Sequence, residues 1–195
     1  AGDPAEDLNP RLYALADGTY ALTWIGGIQN RQRAFGRFFA ADRTPLSASI
    51  LLADPPQGVI VSSGLLIPRG NSWEHVWSDD RTLTSQVYRQ SHTRVGGVDS
   101  PPAQVYSVPG SSSQVYPDVA FFPDGGAIVT YGDLEFGQLN IKARFLDQKG
   151  DTIGPSIAVN DAPVGRGFDT ADGIRDALNN FASAVSACST GFVVT

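Results

Sequence analysis

The chain has 195 residues, of which 42% are apolar and 17% charged, and it carries a net charge of −6. That length can bury a sizeable core in one domain. The negative balance argues against a phosphate-binding surface, and no run approaches the eighteen or so apolar residues of a membrane-spanning helix. A single cysteine, Cys188, excludes an intrachain disulfide.

The sequence contains no methionine and starts Ala1-Gly2-Asp3-Pro4. Small residues following a cleavage site suit a signal peptide already removed, so a secreted or periplasmic location is expected. The first unit, 1–56, opens with Asn9-Pro10-Arg11-Leu12-Tyr13-Ala14-Leu15-Ala16-Asp17-Gly18-Thr19-Tyr20-Ala21-Leu22-Thr23-Trp24. Alternating apolar residues on either side of Asp17-Gly18 read as a β-hairpin with a tight two-residue turn. A second hairpin follows, with Arg37-Phe38-Phe39 and Leu46 to Ile50 flanking polar turn residues.

The second unit, 57–110, is a degenerate copy. Gly64 to Trp77 resembles the first hairpin, with Arg69-Gly70 in place of Asp-Gly, and Gln86 to Arg89 with Arg94 to Gly96 resembles the second. The third unit, 111–163, restores the template. Tyr116-Pro117-Asp118-Val119 to Tyr131 overlays the first hairpin without a gap, and Arg144-Phe145 to Ile157 overlays Arg37-Phe38 to Ile50. The turn glycines Gly18, Gly70 and Gly125 are spaced 52 and 55 residues apart. An insertion, 164–180, precedes the start of a fourth unit at 181–195, whose end aligns with the return strand of the other hairpins. Each full unit thus reads as four antiparallel strands, and repeats of roughly fifty residues of this kind predict an all-β, β-propeller-like fold of about three and a half blades. Propellers close with about four to eight blades, so the apolar edge at Phe192–Thr195 is expected to be covered by further residues or by a neighbouring subunit.

The residues P-x-[VL]-x-x-[LF]-x-D-G-x-x-x-[VL]-T-[WY], with the Arg-Phe half that follows, resemble repeats of large bacterial secreted proteins. Those repeats are similar in pattern to the FG-GAP and VCBS propeller repeats. The resemblance implies a propeller and leaves the function open, because such folds host lectins, adhesins, scaffolds and enzymes. Acidic D-x-D-x-D-G loops are missing from the units, which puts calcium binding of the family's kind in doubt.

Candidate sites are few. His75 and His92 fall in the degenerate unit, lack metal-ligand spacing, and read as surface or strand-edge residues. Trp24, Trp73, Trp77 and Tyr131 recur near strand ends, where rings lining a rim would stack on a sugar or a partner, although core burial competes for them. Asp169, Asp172 and Asp176 could gather a calcium ion. A short helix, capped by Asp172 and with Ile174, Ala177, Leu178 and Phe181 on one face, is the preferred reading of that segment.

No nucleophile elbow, metalloprotease helix or phosphate loop is present, and no cofactor is implied. The expectation is therefore a non-catalytic, lectin-like binding or scaffold module. It would engage a protein or a glycan, or dock as an extrinsic subunit on an envelope or membrane complex, with neither nucleic acid nor a transmembrane span. The alternative is a carbohydrate-active hydrolase or lyase that uses loop carboxylates such as Asp79, Asp80, Asp133 and Glu135.

Overall fold

Period-two alternation of apolar residues, broken by turns rich in glycine and aspartate, folds this chain almost wholly into antiparallel strands. The structure, a computed structural model, describes residues 6–15, 17–28, 31–56, 61–70, 72–81, 84–105, 113–135, 138–161, 185–188 and 191–194. One sheet contains β1 (Glu6–Ala14), β2 (Tyr20–Ile28), β3 (Arg31–Phe39) and β4 (Ile50–Ala53) in sequence order. The next holds β5 (Val61–Arg69), β6 (Ser72–Asp79), β7 (Gln86–Thr93) and β8 (Ala103–Gln104), again in order. A third holds β9 (Ser113–Phe121), β10 (Ala127–Glu135), β11 (Gln138–Leu146) and β12 (Thr152–Ala158). A hairpin of β13 (Val185–Cys188) and β14 (Gly191–Val194) follows. The first strand of each sheet packs against the first strand of the next, β1 on β5, β5 on β9 and β9 on β13. This is an incomplete β-propeller of three blades and half of a fourth, with no helix among the described residues.

The turns differ from the two-residue form expected. The Phe122 N–H donates to the Gly126 carbonyl and the Gly125 N–H to the Phe122 carbonyl, at 2.8 and 2.9 Å. The same pair of bonds closes Leu15–Thr19, Ala40–Thr44, Thr93–Gly97 and Asp147–Asp151. This is a three-residue loop whose last residue is left-handed, a hairpin connection in which one strand carries an extra residue. Gly18 and Gly125 take that position with φ of 83° and 88°, and Arg43 takes it in the first sheet. The aspartate before each glycine has a separate job: Asp17 and Asp124 accept the N–H of Thr19 and Gly126 at 3.0 and 2.9 Å. Two-residue and three-residue hairpins both favour Asp-Gly, which is why the residues alone did not separate them.

Between the first and second blades Phe38, Leu52, Leu66, Trp73 and Trp77 form one core cluster. Val76, Val87, Val119, Val129 and Tyr131 form another between the second and third. Strand alternation puts Phe38 at full burial, while Arg37 lies half-buried with its guanidinium 5.4 Å from the Phe39 ring. Its counterpart Phe145 is half-buried and packs with Phe122, Phe192 and Val194 around Ile128.

Ionic contacts join blades two and three. Glu74, nearly fully buried, accepts from Arg69 at 3.3 Å, Arg89 at 3.2 Å and the Ser91 hydroxyl at 2.8 Å. The two arginines donate onward to main-chain carbonyls of the third blade, Arg69 to Gly125 and Gln148, and Arg89 to Lys149. A buried carboxylate is tolerable only when compensated in this way.

Candidate functional site

The inner strands bring three polar side chains together. Tyr13 on β1 packs against the first core cluster, and its hydroxyl is buried without a well-formed hydrogen bond among the described residues. Beside it lie the Leu66 main chain of β5, the Arg11 guanidinium of β1 and the Asp118 carboxylate of β9. Burial pushes the Tyr13 hydroxyl above its ordinary value of 10; the Arg11 charge opposes this and Asp118 adds to it. The Tyr13 hydroxyl of the first blade is thus under the influence of the Leu66 main chain of the second and of the Asp118 charge of the third. At neutral pH the hydroxyl keeps its proton and can only donate or accept hydrogen bonds.

Sequence reading missed this group, although a signal was present. Arg11 and Asp118 occupy one repeat position, each after the template proline and each paired with a threonine of the return strand, Thr23 and Thr130. Opposite charges at a repeat position whose neighbours are apolar are worth noticing, but only the closing of the sheets around an axis brings them together.

The carboxylates expected in loops lie elsewhere. Asp79 and Asp133 are at equivalent places near the ends of β6 and β10, and both are fully buried. Asp79 accepts from the Trp77 indole at 2.8 Å and from the Arg81 guanidinium at 2.8 Å, and Arg81 stacks 4.2 Å from the Tyr88 ring. Asp133 pairs with Lys142 of the adjacent strand. Both serve the blades' interior rather than an open cleft. Asp80 is exposed just beyond β6, and the Glu135 side chain lies outside the described residues.

The histidines differ from the surface residues expected. His75 and His92 are buried in the interface between blades one and two, 1% and 0% exposed, with ring centroids 6.1 Å apart. His75 stacks on Trp77 at 4.7 Å and is engaged by the Leu52 main chain of the first blade. Burial, assisted by His92, pushes it down to about 3. Burial lowers His92 as well, while the Gly96 carbonyl, 3.3 Å from Nδ1, and the Glu74 charge pull the other way. Both imidazoles are therefore neutral core residues. The cause was not visible in the sequence, because β6 is buried on both faces between two blades.

Burial also relocates the aromatic residues. Trp73, Trp77 and Tyr131 are fully buried between blades and form core rather than a rim. Trp24 is half-buried, stacked on Phe35 with centroids 5.8 Å apart. Asp169, Asp172 and Asp176, with the helix expected around them, lie outside the described residues. Among the described residues, no group of three His, Cys, Asp or Glu side chains is arranged to hold a metal ion, and none forms a helix long and apolar enough to cross a membrane.

No protein-family model matches the chain, and no curated relative matches it. The fold does match solved structures. An α-L-arabinanase of Penicillium chrysogenum, complexed with arabinobiose, superposes with a TM-score of 0.67 over 95% of this chain and 57% of its own, at 14% identity. An α-L-arabinofuranosidase of Fusarium graminearum gives 0.65 over the same shares, also at 14% identity. A thermostable family-43 glycoside hydrolase gives 0.57 over 96% of this chain and 64% of its own, at 11% identity. The chain thus spans somewhat more than half the length of the first two. These likenesses bear out the propeller and offer nothing for FG-GAP or VCBS membership. They also overturn the expected non-catalytic scaffold: these three structures, which share the arrangement over nearly the whole chain, carry the names of enzymes that cleave glycosides.

Proposed function

We propose that this chain is part of a carbohydrate-active hydrolase acting on α-L-arabinofuranosyl linkages, with its site where the inner strands converge. The observation that carries the reading is that the Arg11 and Asp118 charges, from the inner strands of the first and third blades, both act on the buried Tyr13 hydroxyl. Hydrolysis of a glycosidic bond needs two carboxyl groups flanking it, one to protonate the leaving oxygen and one to act as base or nucleophile. Asp118 of β9 supplies one such carboxylate. Tyr13, held protonated by burial, donates a hydrogen bond to a sugar oxygen, and Arg11 offers a fork of donors to sugar hydroxyls. A glycan rather than a protein ligand follows from this polar set and from the enzymes that share the fold. A secreted location fits a polymeric substrate that cannot enter a cell.

The test is hydrolysis of aryl α-L-arabinofuranoside and of arabinan by the chain, beside aryl glycosides of other sugars. Asp118→Asn should lower kcat by about 10²-fold or more, as loss of an acid or base catalyst does. Tyr13→Phe should raise KM with a smaller effect on kcat. Turnover that survives Asp118→Asn at the parent rate would overturn the assignment of the site. An absence of both binding and turnover across the arabinosyl panel would overturn the substrate class.

A further inference from the structure

The two histidines of the second blade leave more unsatisfied than a packed core requires. Across the β6–β7 pairing His75 lies opposite Gln90 and Trp73 opposite His92, so the two imidazoles are diagonal neighbours on one side of the sheet. That side is the one the first blade covers through Phe38 and Leu52. The ring centroids are 6.1 Å apart and the rings meet edge to face at 62°. Trp77 stacks on His75 at 4.7 Å and shields the pair with an apolar plane.

Each ring has one nitrogen committed to the main chain. Nδ1 of His92 lies 3.3 Å from the Gly96 carbonyl. A carbonyl oxygen only accepts, so this nitrogen carries the proton and Nε2 holds a lone pair. The Leu52 main chain favours the protonated His75 ring, as an accepting carbonyl does, while Nδ1 of that ring has no partner. Nε2 is therefore the donor in His75, and Nδ1 holds the lone pair. The result is two neighbouring acceptors, His75 Nδ1 and His92 Nε2, both buried and neither receiving a hydrogen bond from any described residue. Such groups are costly to leave unpaired, and one guest bound to both removes the cost.

An imidazole that donates one ring N–H to a carbonyl and keeps the other nitrogen free is oriented as a metal ligand is. Two metal–nitrogen bonds of about 2 Å, added to the reach from each nitrogen to its own ring centre, put the centroids of a linear pair about 6 Å apart. The surrounding charge selects the kind of ion. The Glu74 charge reaches His92, but Arg69 and Arg89 already match it. A divalent ion would bring two charges into this interface with little to offset them, whereas two neutral nitrogens suit an ion of single charge. We propose that His75 Nδ1 and His92 Nε2 form a linear two-nitrogen site for a soft monovalent cation of the copper(I) and silver(I) class. The bound ion fixes the seam between the first two blades, because His75 leans on Leu52 and the Gly96 turn sits on Phe38 and Ile50.

The probe is silver(I) nitrate in chloride-free buffer, which binds without redox chemistry. Cys188→Ser in the 195-residue chain removes the thiol that would compete for it. Calorimetry should show one ion bound per chain, with Kd of about 10 μM or tighter. In long-range proton–nitrogen spectra, His75 Nδ1 and His92 Nε2 should both shift on adding silver(I), while the opposite nitrogens keep their protons. His75→Gln and His92→Gln, checked for fold by circular dichroism, should each weaken binding about a hundredfold or more, at least what loss of a ligand's outer partner costs. The spectra need no substitution at either histidine, so they decide the matter even where a variant fails to fold. Binding weaker than about 10 μM, a shift at only one of the two nitrogens, or unchanged affinity in a folded variant would overturn the proposal. So would zinc(II) binding at the same two nitrogens as tightly as silver(I), which would refute the monovalent class.

Discussion

Acid should loosen the interface between blades one and two, and His75 sets the size of the effect. Its folded-state value is pushed down to about 3, against 6.5 for a free imidazole, so the unfolded chain binds the proton first. A depressed value of this kind leaves stability complete above pH 6.5 and removes it progressively as pH falls toward 3. Taking about 1.4 kcal/mol for each tenfold preference, His75 alone should remove about 2 kcal/mol between pH 7.5 and pH 5, and about 3 kcal/mol by pH 4. His92 shifts in the same direction and adds to this. Other ionisable groups also respond to acid, so the informative quantity is a difference. Urea unfolding followed by tryptophan fluorescence at a series of pH values should show a steep decline below pH 6.5 for the parent. His75→Gln, destabilised overall by loss of the Trp77 stack, should decline less steeply from pH 7 to 5. Parallel curves for the two proteins across that range would refute the assignment of a neutral, buried His75.

Phe38→Ala should destabilise by about 3–5 kcal/mol in the same urea assay, because the ring is fully buried beneath Trp73 and Leu52. Phe145→Ala, half-buried, should lose visibly less. Gly96→Ala should be more damaging than Gly70→Ala, although both glycines have positive φ, 89° and 57°. A methyl at Gly70 meets open space and carries only the backbone penalty of about 1 kcal/mol, whereas at Gly96 it overlaps Ile50 and Phe38. Equal melting temperatures for the two variants would show that the blade interface is looser than described. Glu74→Ala should destabilise by about 3 kcal/mol, since it leaves Arg69 and Arg89 without their buried counter-charge, and calorimetry would register the loss.

The sequence by itself determined the repeat, the hairpins and the all-β class. Those features are local: strand alternation, Asp-Gly tips and β-branched return strands act over a few residues, and the register Ile128↔Phe145 repeats Ala21↔Phe38 because the template residues recur. Tight pairing needs no knowledge of the rest of the chain. What the tertiary structure decided is which side of each strand faces water, and between which blades. His75 was expected at the surface or a strand edge and Trp77 near a strand end, whereas blades stacked face to face bury both residues. Asp79 and Asp133 looked like loop acids because the sequence shows neither their burial nor their pairing with Arg81 and Lys142. Asp118 lies about a hundred residues from Arg11 and Tyr13, and only the arrangement of inner strands around a common axis brings its charge to bear on the Tyr13 hydroxyl. A functional site built from single residues of successive repeats has no local pattern, and so it becomes legible only when the ring is assembled.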